Sequence, residues 1–153
     1  MSYRLERCQV VPGELPSVFG FFKDPRNLES ITPPWLSFQI LEATDAEVRR
    51  GTRIRYRLRW QVFPIRWESR ITEFEESRLF ADEMLRGPYR RWYHRHLFAA
   101  VPGGVEIRDE VDYELPFGLG GRIAHALAVR RQLEAIFRYR RDRIAEAFGA
   151  LAS

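Results

Sequence analysis

Tyr89-Arg90-Arg91-Trp92-Tyr93-His94-Arg95-His96-Leu97-Phe98-Ala99-Ala100-Val101 alternates with a period of two. In a β-strand that period sends successive side chains to opposite faces. One face collects Trp92, His94, His96, Phe98 and Ala100, and the other Arg91, Tyr93, Arg95 and Leu97. Arginines favour water, so the histidines are expected to point inward with Trp92 and Phe98. A Pro102-Gly103-Gly104 turn leads to a second alternating strand, where Val105, Ile107, Asp109, Val111, Tyr113 and Leu115 share a face. Buried polar groups need partners. Two imidazoles and a carboxylate on inward faces therefore imply a polar spot in an apolar interior.

Working outward toward the N-terminus, Thr52 to Val62 reads as the cleanest strand. Ile54, Tyr56, Leu58, Trp60 and Val62 occupy one face, opposite Arg53, Arg55, Arg57, Arg59 and Gln61. Such alternation describes a sheet covered on one side and wet on the other. Phe63-Pro64 is expected to turn the chain into a strand with Ile65, Trp67, Ser69 and Ile71 inward. Trp35 to Ala43 and Leu79 to Arg86 read as further strands, and Tyr3 to Val11 as the first; neither 3–11 nor 79–86 reveals its phase. Two short helices are expected between the first strand and Trp35. Pro16 opens one, which carries Val18, Phe19 and Phe22; Asp24-Pro25 opens the other, which buries Leu28 and Ile31 before Pro33-Pro34.

Beyond Pro116-Phe117-Gly118, Leu119-Gly120-Gly121 leads into one long helix to about Phe148. Ile123, Leu127, Leu133, Ile136, Phe137, Ile144 and Phe148 form its apolar stripe, with Arg130, Arg131, Arg138, Arg141, Asp142 and Arg143 largely on the remainder. A sheet with one apolar face needs a cover, and only this helix is long enough to supply it. Wrapping a curved sheet around it leaves a space lined by wide aromatic side chains.

The 153 residues are expected to form one domain, 1–153. Hydrophobic content of 45% and aromatic content of 14% fit a packed core and exclude a disordered chain. The net charge of +4 is carried almost wholly by arginine, Lys23 being the one lysine. A lone cysteine, Cys8, excludes an internal disulfide framework and a cysteine zinc cluster, and is read as a small structural residue. No stretch approaches the ~20 apolar residues of a membrane span, and the N-terminus shows no signal-peptide pattern. A soluble cytoplasmic protein without stable membrane insertion is the expectation.

The element order resembles the SRPBCC superfamily, the helix-grip proteins that include START lipid-transfer domains, Bet v 1-like proteins and polyketide cyclases. The resemblance rests on Thr32-Pro33-Pro34-Trp35-Leu36, on Trp92-x-His94-x-His96-x-Phe98, and on Asp109-Glu110-Val111-x-Tyr113-x-Leu115-Pro116-Phe117-Gly118. It implies an α+β helix-grip fold, a seven-stranded antiparallel sheet wrapped around the C-terminal helix, with a deep hydrophobic pocket and no cofactor. Small bacterial ligand-binding members are the nearest likeness.

Tyr56, Trp60, Trp67, Ser69, Trp92, His94, His96, Phe98, Asp109 and Tyr113 are the candidate ligand-binding residues. Aromatic walls give large contact area to a flat or elongated apolar molecule such as a lipid, polyketide or isoprenoid. His94, His96 and Asp109 would fix its polar end. The same trio are the catalytic candidates of the alternative, a cyclase or dehydratase in which a carboxylate-oriented histidine acts as general base.

His-x-His is also a chelating pattern, with the two residues about 6.5–7 Å apart along the strand face by strand rise. A metal site needs a third ligand such as Asp109 and an open position. No other histidine lies nearby in the expected fold, His125 belonging to the terminal helix, so no metal is expected. The arginine stripe at 53–59, with Arg66 and Arg70, reads as a solvated face that blunts sheet aggregation. RNA-binding sheets put stacking aromatics on the exposed face, whereas here they point inward, so no nucleic-acid partner is expected. Gly118, Gly120 and Gly121 precede a helix without a Gly-Lys-Ser/Thr, which excludes a P-loop. A homodimer is left open.

Overall fold

The computed structural model describes residues 2–116 and 122–149, with the side chains of 122–125 outside that description. The strands are β1 (Ser2–Val11), β2 (Gln39–Ala43), β3 (Arg53–Trp60), β4 (Phe63–Glu75), β5 (Leu79–Arg86), β6 (Arg91–Val101) and β7 (Gly104–Glu114). Helices α1 (Leu15–Phe22) and α2 (Arg26–Ser30) follow β1, and α3 (Arg122–Phe148) comes after β7. The strands form one antiparallel sheet in the order β1-β7-β6-β5-β4-β3-β2. This is the expected helix-grip architecture. Strand β1 closes onto β7 because the first and last strands pair along their whole lengths, from Ser2↔Glu114 to Val11↔Val105.

Curvature comes from irregular pairing. Register shifts between Ile40 and Glu42 in β2, and at Glu68/Ser69 and Ile71/Glu73 in β4, insert extra residues on one side of a ladder. Bulges of this kind bend the strand and raise its twist. Two apolar clusters fill the inward side. Val11, Phe19, Ile54, Phe98, Ile107 and Ile144 belong to one; Leu5, Trp67, Trp92, Val111, Leu133 and Phe137 belong to the other. Pro16 lies in the first turn of α1, where its missing N–H removes nothing, and the helix drives Phe19 edge-on against Phe98 at 5.1 Å.

Several local expectations are corrected. Trp35 does not begin a strand. Pro34–Leu36 is a short 3-10 turn, and Ser37 at φ 47 leaves the extended region, so β2 starts only at Gln39. Phe63-Pro64 is not the turn either: Gln61 at φ 54 and Val62 make it, and Phe63 and Pro64 pair with Trp60 and Arg59. Pro64 is tolerated at this hairpin end, where a missing donor costs little. Strand β3 therefore stops before Val62, which is 78% exposed instead of inward. On α3, Leu127 is 51% exposed, whereas Leu133, Phe137 and Ile144 are buried. Leu28 is only half-buried beside the buried Ile31, and Cys8 is exposed. The side chains of Ile123 and His125, and Gly118, Gly120 and Gly121, lie outside the described residues.

Candidate functional site

Between the sheet and α3 lies a cavity of about 200 Å³. Its walls include Tyr56, Leu58, Trp67 and Ser69 from β3 and β4, Asp82 from β5, and Trp92, His94 and His96 from β6. Phe22 and Ile31 close it from the short helices, and Ile136, Phe137 and Arg140 from α3. The aromatic wall is internally packed. Tyr56 and Trp67, directly paired across β3 and β4, stack at 5.8 Å, and Trp67 meets Trp92 edge-on at 5.4 Å. The Trp67 indole N–H donates to Ser69 Oγ at 2.9 Å, so that buried donor is satisfied within the wall.

The polar end is a network of five side chains. The period of β6 puts His94 and His96 on one face, and their rings lean together to stack at 3.7 Å between centroids. This is far closer than the rise between their backbones. Cross-strand pairing sets Asp109 of β7 beside His96, and Asp82 of β5 beside His94. The side chains then cross over. His94 Nε2 lies 2.8 Å from Asp109 Oδ1, and His96 Nε2 lies 2.9 Å from Asp82 Oδ2. An ionised carboxylate can only accept, so each imidazole donates from Nε2. Arg140, buried on α3, brings Nη2 to 3.5 Å from Asp109 Oδ1 and 3.4 Å from His96 Nδ1. Its Nε is buried with no hydrogen-bond partner among the described residues.

These contacts set the charge states. Burial alone would raise Asp109; the Arg140 guanidinium, the hydrogen bond from His94 and the two imidazoles outweigh it and hold the carboxyl well below its ordinary range. Asp82 shows the same opposition: burial pushes it up, while the His96 hydrogen bond, the imidazoles and Arg140 bring it below normal. Burial and the neighbouring His94 lower His96 to about 4, against the pull of Asp82. His96 is accordingly a neutral imidazole near pH 7, held at both ring nitrogens. His94 differs, because its Nδ1 has no hydrogen-bond partner among the described residues.

Of the residues singled out from sequence, Tyr56, Trp67, Ser69, Trp92, His94 and His96 line the cavity. Asp109 stands behind the imidazoles and borders a second recess, of about 230 Å³, between β1 and α3. Phe98 and Tyr113 are buried in the two apolar clusters, off the cavity wall. Trp60 is 42% exposed at the tip of the β3–β4 hairpin, stacked on Phe63. Asp82 and Arg140 were not found from sequence. Arg140 did carry a signal, since Leu133, Phe137, Arg140 and Ile144 follow one another at intervals of four, three and four along one helix face.

A curved sheet gripping a long helix around a mostly apolar cavity defines a helix-grip protein of the SRPBCC superfamily. The chain belongs to the polyketide cyclase / dehydrase and lipid transport family, whose model matches residues 11–137. No curated protein matches it in sequence. Among solved structures it is similar to the Zhui aromatase/cyclase from Streptomyces sp. R1128, with 15% identity and a TM-score of 0.67 over 99% of this chain and 100% of that one. Norcoclaurine synthase from Thalictrum flavum shares 12% identity, with a TM-score of 0.67 over 95% of this chain and 88% of that one. Protein CV1439 from Chromobacterium violaceum shares 14%, with a TM-score of 0.71 over 99% of each chain. At these identities the likeness concerns the fold. No helix among the described residues is long and apolar enough to cross a membrane.

Proposed function

We propose that this protein, as one cytoplasmic domain, binds and carries a small hydrophobic molecule in the cavity between sheet and α3. The observation that carries this reading is the combination of an aromatic wall with one polar end. Tyr56, Trp67 and Trp92 supply broad apolar contact, while Asp82, His94, His96 and Arg140 gather on one side. Ligand sites characteristically pair a largely hydrophobic lining with a few convergent polar groups that fix orientation. Membership of a family described by both cyclisation and lipid transport supports the same class of ligand. The single cysteine suits a reducing compartment.

A second reading has one specific observation in its favour. Asp109 behind His94 Nε2, with Nδ1 left unpaired among the described residues, is the arrangement of an oriented general base. Under it the ligand is cyclised or dehydrated instead of carried.

Native mass spectrometry of protein purified from its own host tests the carrier reading. A co-purifying small molecule recovered unchanged after incubation is the expected result. Absence of any adduct, together with no saturable fluorescence enhancement of 1-anilinonaphthalene-8-sulfonate, overturns it. Recovery of a chemically altered ligand, lost in His94→Gln, favours the enzyme.

A further inference from the structure

We propose that Asp82, His94 and His96 form a binding site for a divalent first-row transition metal, with its remaining coordination positions facing the apolar cavity. The three residues each offer one ligating atom, and these atoms lie within 4.8 Å of one another. All three line the cavity wall. The sequence offers Asp109 as a third ligand beside His94-x-His96 and no further histidine nearby. The structure supplies a different one, because Asp82 reaches across from β5 to His96 Nε2 at 2.9 Å.

The surroundings have the form of a metal site's outer layer. A ligating histidine characteristically donates its second ring N–H to a carboxylate, which fixes the ring and strengthens it as a donor. Asp109 does this for His94 by accepting from Nε2 at 2.8 Å, so that Nδ1 is the lone pair left for a metal. For His96 the metal would take Nε2. The proton now shared with Asp82 would pass to Nδ1, which would then give up the Arg140 Nη2 contact at 3.4 Å and donate to the same Asp109 oxygen at 3.5 Å. The exchange is between tautomers of a neutral ring and needs no external proton.

Charge favours a cation here. Two carboxylates, Asp82 and Asp109, face the single guanidinium of Arg140, a net single negative charge before the imidazoles are counted. A dication reverses it to a single positive charge and leaves a place for one anionic oxygen in the cavity. Two imidazole nitrogens and one carboxylate match zinc, iron or cobalt, whereas magnesium and calcium prefer all-oxygen sets.

The inference rests on the cluster and not on the carrier reading, since ligand binding by metal-free protein leaves it untouched. It does compete with the general-base reading, because a metal occupies the His94 lone pair. The test is titration of chelator-treated full-length protein with Zn²⁺ by calorimetry and with Co²⁺ by visible absorption. The expected result is one ion per chain and Co²⁺ bands distinct from those of the aqueous ion. His94→Gln and Asp82→Asn should each weaken binding at least tenfold. Asp109→Asn should weaken it by about 10–100-fold, while His125→Ala leaves it unchanged. No wild-type stoichiometry, no Co²⁺ spectrum, or binding that persists in the cluster variants and fails in His125→Ala overturns the proposal. The wild-type Co²⁺ spectrum decides the matter even where a variant does not fold.

Discussion

Replacing Asp109 by Asn is the sharpest test of how the polar network is held. Asp109 is 7% exposed and takes contacts from three directions: His94 Nε2 at 2.8 Å, and His96 Nδ1 and Arg140 Nη2 each at 3.5 Å. Asparagine keeps one acceptor for His94 but removes the charge that opposes Arg140. At 3.5 Å and an effective dielectric constant of about 20, that attraction amounts to about 5 kcal/mol. Breaking one side of a buried pair costs about 3–5 kcal/mol in practice, so the two figures agree. Set against a total stability of about 5–15 kcal/mol, the variant should lose a large fraction of its margin. For a chain of this length that corresponds to a fall in Tm of roughly 6–20 °C. Urea denaturation near pH 7 measures it, provided the slope with denaturant is unchanged. The decisive arm is Asp109→Asn combined with Arg140→Met, which removes both charges. Apolar replacement of a whole buried pair is often neutral, so the double variant should regain at least half of the single variant's loss. A single-variant cost below about 1 kcal/mol, or a double variant whose loss equals the sum of the two singles, refutes the coupling.

Two further outcomes follow from the same physics. His96 sits at about 4 in the folded protein, below its usual 6.5, so between those values the unfolded chain binds a proton that the native state refuses. Stability should fall by about 3 kcal/mol as pH drops through that window, and His96→Gln should flatten the fall; urea midpoints across the range check this. The depressed Asp82 and Asp109 act lower, losing their contribution only below the ordinary carboxylate value of about 4. At the far end of the sheet, fully buried Thr52 donates from Oγ1 to Asp45 Oδ2 at 2.7 Å and accepts from Arg49 N at 3.0 Å. Thr52→Val keeps the shape and strands the Arg49 N–H, so a loss of about 1–3 kcal/mol is expected; a loss within error of zero in thermal denaturation refutes the account.

The sequence spoke clearly where a strand has one wet face and one dry face. On β6 and β7 burial alternates almost residue by residue, and the inward set of Trp92, His94, His96 and Phe98 follows directly from it. Strand β5 is different. Leu79, Phe80 and Ala81 are buried in succession, which erases the period-two signal and with it the direction of Asp82. Arg140 was hidden by its chemistry, since a helical arginine ordinarily belongs to the solvated face. Only a partner distant in sequence, Asp109, makes its burial tolerable. Trp60 illustrates the converse. Its phase is inward, but β3 runs past the cover that α3 and the short helices provide, so an inward direction there leads to solvent. Periodicity reports which way a side chain points, not whether anything lies in that direction.

Arg140 also bears on how α3 finds its seat. An apolar helix face can slip by one turn against a greasy sheet at modest cost, because one hydrophobic neighbour resembles another. A slip of one turn, about 5.4 Å, would carry the guanidinium away from Asp109 and His96 and leave a charge facing Phe22 or Phe137, whose rings it already overlies at 5.6 and 5.9 Å. The buried ion thus works as an index pin: it adds little net adhesion, but it makes one docking of the helix distinguishable from its neighbours. The same pin that keeps the cavity's roof in place also sets the depth at which the cavity's polar groups meet whatever enters it.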